Sequence, residues 1–153
     1  MSWLWPVLLS MSPFVELRAG IPAALALGYS PFVAFVLCVS ANMLVAPAVF
    51  VFLEFVHYRF LHVDGYRANF DRVMERVRSK SERYVERYGV LGLTLLTAVP
   101  LPGTGAYSAT LVGWFFGLGR FRTIVAVSLG VFIAGVLVSV LSAGGLALTN
   151  MFL

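Results

Sequence analysis

The sequence predicts an all-α integral membrane protein built as an inverted-topology repeat, each half a re-entrant helical hairpin followed by a full transmembrane helix, the halves joined by a cytoplasmic amphipathic helix. Three observations predict it. Hydrophobic residues make up 60% of the 153 residues and the mean hydropathy is +0.91, outside the range of a soluble domain. The 11 basic and 7 acidic residues avoid residues 19–53, 88–119 and 123–153 entirely. One of those three apolar runs, 88–119, has a length that suits neither one crossing nor two. No boundary divides the chain, so residues 1–153 form a single membrane domain.

Each element follows from its residues. The start, "MSWLWPVLLSMSPF", lacks the basic residues and small-residue cleavage site of a secretory leader, so residues 3–30 are assigned to the body, as a first re-entrant hairpin. Its centre, "PFVELRAGIP", is broken by Pro13 and Pro22. Residues 31–56 carry no charge in their first 23 positions and match the ~20 residues that cross a hydrocarbon core of about 30 Å. Residues 64–88 place Phe70, Val73, Met74, Val77, Tyr84, Val85 and Tyr88 at three-four spacing, with Arg, Lys and Glu between them. That pattern is an amphipathic helix lying at the headgroup layer. Residues 122–148 form the second full span.

The 32 residues of 88–119 exceed one span and fall short of two of ~20 each. Their middle, "VPLPGTG", withholds backbone donors at Pro100 and Pro102 and frees the backbone at Gly103 and Gly105. A second re-entrant hairpin satisfies both facts, and irregular backbone at that depth requires a protein-lined or wet cavity. Charge parity agrees. If the chain turns back here, every Lys and Arg except Arg18 lies on one side, the cytoplasmic side by the positive-inside rule. Residues 57–87 and 119–122 are then cytoplasmic and both termini outside, in a multi-pass protein of the plasma membrane. A shift of 89 residues superimposes Pro13 on Pro102, Ala24 on Gly113, Gly28 on Gly117 and Phe32 on Phe121. With one span and a connector between the copies, the hairpins enter from opposite sides, a plan common among secondary transporters.

The candidate site lies where the two tips meet. Glu16 and Arg18 sit in an apolar segment, where a central charge costs roughly 2.5 kcal/mol or more and therefore faces a partner or a cavity. Two kinds of role are open to them: a structural one, as a mutual ion pair or with Arg18 bonding free carbonyls at the break, and a functional one, with Arg18 receiving an anionic group while Glu16 binds a proton or a cation. A helix beginning near Thr104 would aim its N–H groups at the midplane, with Gly103, Gly105, Thr104, Tyr107 and Ser108 lining the same tip. Asn42 and Ser40 are expected to serve as packing contacts to the hairpin break, and Glu54, His57 and His62 to pair locally near the membrane exit. Cys38, the one cysteine, is expected as a buried thiol. No His, Cys or carboxylate grouping has metal spacing, and no cofactor motif or nucleophile set for an enzyme is present. The connector's five acids alternate with its eight bases, which argues against nucleic acid as a partner.

The hairpins "PFVELRAGIPAALALGYSP" and "AVPLPGTGAYSATLVGWFFGL" resemble the small multidrug export protein family, usually placed near the DedA superfamily. The resemblance rests on Glu16, Leu17, Arg18, Ile21 and Pro22 in the first and Pro100 to Gly105 in the second. It implies paired re-entrant hairpins and, from DedA-type members, transport of polyprenyl phosphates using buried acidic and arginine residues. Only Glu16 and Arg18 match that theme, and the second hairpin lacks the arginine that DedA proteins place there. The expected function is a secondary transporter or flippase for an amphipathic anion. The alternatives are export of cationic drugs and a non-transporting membrane scaffold. Expected partners are membrane lipids, a small amphipathic substrate and a second copy of the chain, docked through faces such as Gly130, Ala134 and Gly135.

Overall fold

A computed structural model describes residues 3–57, 88–99 and 105–152, together with positions 71, 72 and 75. The described residues are helical, without strands. In chain order they form α1 (Leu4–Ser10), α2 (Glu16–Ala26), α3 (Pro31–Met43), α4 (Val45–Phe52), a π-helical turn (Leu53–His57), α5 (Val90–Ala98), α6 (Ala106–Phe115) and α7 (Arg120–Phe152). The expected interfacial helix over 64–88 lies outside the described residues, apart from Asp71, Arg72 and Glu75, which are helical and exposed, and Tyr88.

Two stretches are long and apolar enough to cross a membrane, Pro31–Phe55 and Arg120–Gly145. With the composition, they make this a membrane protein. The first is not one uninterrupted helix. Pro47, in the first turn of α4, has no N–H to offer the Met43 carbonyl and its ring crowds that group, so the helical hydrogen bonding is interrupted at Leu44, whose own backbone stays helical at φ −71° and ψ −15°. The second has no such proline and runs unbroken through 33 residues. The two spans are antiparallel. Val39 and Phe35 of α3 pack against Gly135 of α7, while at the other end the Glu54 carboxylate accepts a bond from the Arg120 guanidinium at 3.3 Å, the local pairing expected of Glu54.

The remaining helices are short. At 1.5 Å per residue, the 7, 11, 9 and 10 residues of α1, α2, α5 and α6 extend about 10 to 17 Å, roughly half a hydrocarbon core or less. Helix α1 packs on α2, and α5 and α6 pack on α7. Small residues set these approaches: a Cβ at Gly20 would run into Ser10 and the Pro6 carbonyl, one at Gly113 into Thr123, and one at Gly130 into Thr97 and the Thr94 carbonyl. The faces holding Gly130, Ala134 and Gly135 are therefore covered inside the protomer by α5 and α3, since close packing of small residues serves helix pairs within a chain as well as between chains. Pro22, expected to break the first hairpin, lies inside α2 instead. Its fixed φ is helical, so the helix loses one hydrogen bond without ending, and the break falls at residues 11–15, which hold Pro13.

The 89-residue correspondence extends to the backbone. Helix α2 ends with Leu27, Gly28 and Tyr29 donating to the carbonyls of Ala23, Leu25 and Ala24, and α6 ends with Phe116, Gly117 and Leu118 donating to Val112, Trp114 and Gly113. Every donor and acceptor maps onto its counterpart. Both ends are Schellman caps, with glycine in left-handed conformation at φ 86° and 63°. The following helices also start in register, Ala34 donating to Ser30 and Thr123 to Gly119.

Candidate functional site

The two broken segments meet at one carboxylate. Glu16 opens α2 directly after the tip of residues 11–15, and its side chain reaches the start of α6, 90 residues further along the chain. The Ala106 N–H donates to Glu16 Oε2 at 3.2 Å and the Tyr107 N–H to Glu16 Oε1 at 3.5 Å. These are free donors of a helix's first turn, at the positive end of its dipole. The N-cap position of α6 is Gly105, which has no side chain to satisfy them, so Glu16 caps the helix from the other half of the molecule. A third bond runs alongside, from the Tyr107 hydroxyl to the Met11 carbonyl in the first tip.

Gly105 makes the approach possible. A Cβ there would fall on the Glu16 carboxylate itself. Positions 16 and 105 are equivalent under the 89-residue shift, yet one carries a carboxylate and the other leaves an empty place for it. Glu16 also carries the left-handed φ of 49° that no other non-glycine described residue adopts, a conformation costing of order 1–3 kcal/mol unless its surroundings hold it. The two amide bonds and burial to 8% exposure supply that hold.

Among the sequence-predicted residues, Glu16, Gly105 and Tyr107 are thus brought into direct contact across the two segments. Arg18 and Ser108 line a cleft beside them with Pro13, Phe14, Val15, Glu16 and Gly105. The cleft has room of about 20 Å³, enough for a water molecule. Thr104, Gly103, Pro100 and Pro102 lie outside the described residues, and the helix expected near Thr104 begins at Ala106. The N–H groups expected to receive a substrate anion are occupied by the Glu16 carboxyl, which the first broken segment carries to them.

Asn42, expected as a packing contact to the hairpin break, is found beside it. It is completely buried on α3, faces the Glu16 carboxyl, and completes no hydrogen bond of normal geometry with either amide atom. An isolated amide in an apolar helix gives no sequence signal of which residue it faces. Ser40, by contrast, is exposed. Cys38 is a buried free thiol, as expected.

A family model described as "Putative small multi-drug export protein" matches residues 16–137. The chain belongs to this family. The match begins at Glu16 and takes in α2, the second broken segment and most of the two long helices, so the small multi-drug export family signature includes both partners of the carboxylate contact. No curated protein and no solved structure matches the chain.

Proposed function

We propose that this member of the small multi-drug export family is a secondary transporter, and that Glu16 occupies its anion site from within. The substrate is an amphipathic anion such as a polyprenyl-phosphate lipid. In the described conformation the carboxylate holds the Ala106 and Tyr107 N–H groups. A phosphate headgroup needs those same donors, with Arg18 beside them, and takes them when a proton neutralises Glu16 and weakens its charge-assisted bonds. Proton uptake and anion entry are then one exchange. The occupied helix terminus is the observation that carries this reading, and the small cleft is what a closed state of such a site looks like.

The transporter plan includes two re-entrant hairpins of inverted topology, related to the DedA arrangement. Its support is the shortness of α1, α2, α5 and α6 and the Glu54–Arg120 pair. That pair puts the end of the first span and the start of the second on one side, as a returning hairpin requires. The basic connector then faces the cytoplasm, and a homodimer completes the walls of the pathway. The test is uptake of a fluorescent short-chain prenyl phosphate into proteoliposomes under an imposed pH gradient. Wild type should respond to the gradient, Glu16→Gln should lose that response, and Arg18→Ala should lose lipid-phosphate binding in native mass spectrometry. Uptake equal to that of empty liposomes makes the protein a scaffold and ends the proposal.

The family description favours a second reading, export of cationic drugs with Glu16 as the binding charge. Under it Glu16→Gln abolishes drug resistance in cells, whereas under the first reading resistance does not depend on that carboxylate.

A further inference from the structure

We infer that Asn42 is the second half of a proton-binding site with Glu16, a partner that serves the carboxyl in both of its protonation states. The inference rests on the proton role proposed above for Glu16 and adds the group that makes it possible. An ionised carboxylate only accepts hydrogen bonds, while a carboxylic acid also donates one. The Ala106 and Tyr107 amides are donors only, so they serve the ionised form and offer nothing to an acid O–H. In an apolar site that proton needs an acceptor, because a buried unsatisfied donor costs about 1–3 kcal/mol.

Asn42 is the side chain placed to provide it. At 0% exposure and with both Nδ2 and Oδ1 unpartnered, it faces the carboxyl. Its amide donates through Nδ2 to the carboxylate, or, turned by half a rotation, accepts through Oδ1 from the acid. No charged residue serves both purposes, and a hydrophobic one serves neither.

The titratable groups on the surrounding described elements are few. Arg18 on α2 and Tyr107 on α6 lie beside Glu16, Cys38 is on α3, Tyr29 follows α2, α1, α4 and α5 carry none, and α7, which packs on α2, α3 and α6, carries Arg120 and Arg122 at its exposed start, the former paired with Glu54. Arg18 favours the ionised form and, like the amides, has no acceptor for the acid proton.

The experiment is infrared difference spectroscopy of the reconstituted protein across a pH titration, reading the carboxylic-acid carbonyl band. Wild type should show a band that Glu16→Gln removes. Bonds to the ionised carboxylate are about twice as strong as those to the neutral acid, so Asn42→Leu penalises the ionised form more. Its band midpoint should move upward by about one pH unit, a tenfold change in proton affinity, and its frequency should rise as the O–H loses its acceptor. A second measurement needs no change at the site. With Asn69→Gln and Asn150→Gln as background and asparagine carrying 13C at the side-chain carbonyl, the Asn42 amide band should shift with the same midpoint as the acid band. An acid band that depends on Glu16 while the Asn42 label stays still and Asn42→Leu leaves the midpoint unmoved overturns this inference alone. The absence of any Glu16-dependent band overturns the proton role beneath it as well.

Discussion

Replacing Gly105 with alanine puts a methyl group where the Glu16 carboxylate now lies. The carboxylate must withdraw, and with it go the bonds to Ala106 at 3.2 Å and Tyr107 at 3.5 Å. A hydrogen bond to a charged group contributes about 1.5–3 kcal/mol. The longer of these two sits at the edge of useful geometry, so the pair is worth roughly 2–4 kcal/mol. Reversible unfolding in mixed micelles should show Gly105→Ala less stable by that amount. Glu16→Ala should cost a similar amount, since it removes the same two bonds. In the double variant the clash disappears along with the carboxylate, so the combined loss should be no larger than that of Glu16→Ala alone, a coupling of about 2 kcal/mol or more in a double-mutant cycle. Additive losses, or a Gly105→Ala protein as stable as wild type, would refute the claim that this glycine exists to admit the carboxylate.

Gly28→Ala and Gly117→Ala should each cost about 1 kcal/mol in the same unfolding assay, because each forces a Cβ into a left-handed backbone with open space around it; equal losses are the signature of the repeated cap. Tyr107→Phe removes only the bond to the Met11 carbonyl and should lower stability by about 0.5–1.5 kcal/mol, measurable against Glu16→Ala to separate the two cross-segment contacts. Gly130→Val collides with Thr97 and with the Thr94 carbonyl, which is backbone and cannot swing aside; it should destabilise by more than about 2 kcal/mol and expose residues of α5 to cysteine labelling. Arg120→Ala breaks an exposed ion pair and should change stability by less than about 1 kcal/mol, with any effect fading as salt is added.

The sequence by itself determined the solvent and located one helical break, the stretch around Pro13, but neither the step at Leu44 nor the continuity of helix through Pro22. Composition and the three uncharged runs demanded a membrane, because each charge excluded from a run is a desolvation cost avoided. Proline and glycine marked the interruptions by their backbone chemistry, and the 89-residue repeat was legible from a handful of small residues, since left-handed caps and close helix contacts accept few others. Pro22 went astray for a physical reason: a proline's ring is compatible with helix on its C-terminal side, so a single proline does not tell a break from an uninterrupted turn. Gly130 and Gly135 could be read as small contact residues, but whether they meet a neighbour in the same chain or in another copy depends on which helices the fold lays beside them. What only tertiary structure decided is the partner of the buried acid. Glu16 and Arg18 are two residues apart and suggest each other, yet the carboxylate's described hydrogen bonds go to amides 90 and 91 positions away, and the amide of Asn42 comes up to it from a third helix. Backbone N–H groups carry no residue identity, so no letter in the sequence announces them. They become a binding site only when folding brings a helix terminus, a missing side chain at Gly105 and a strained glutamate to one point.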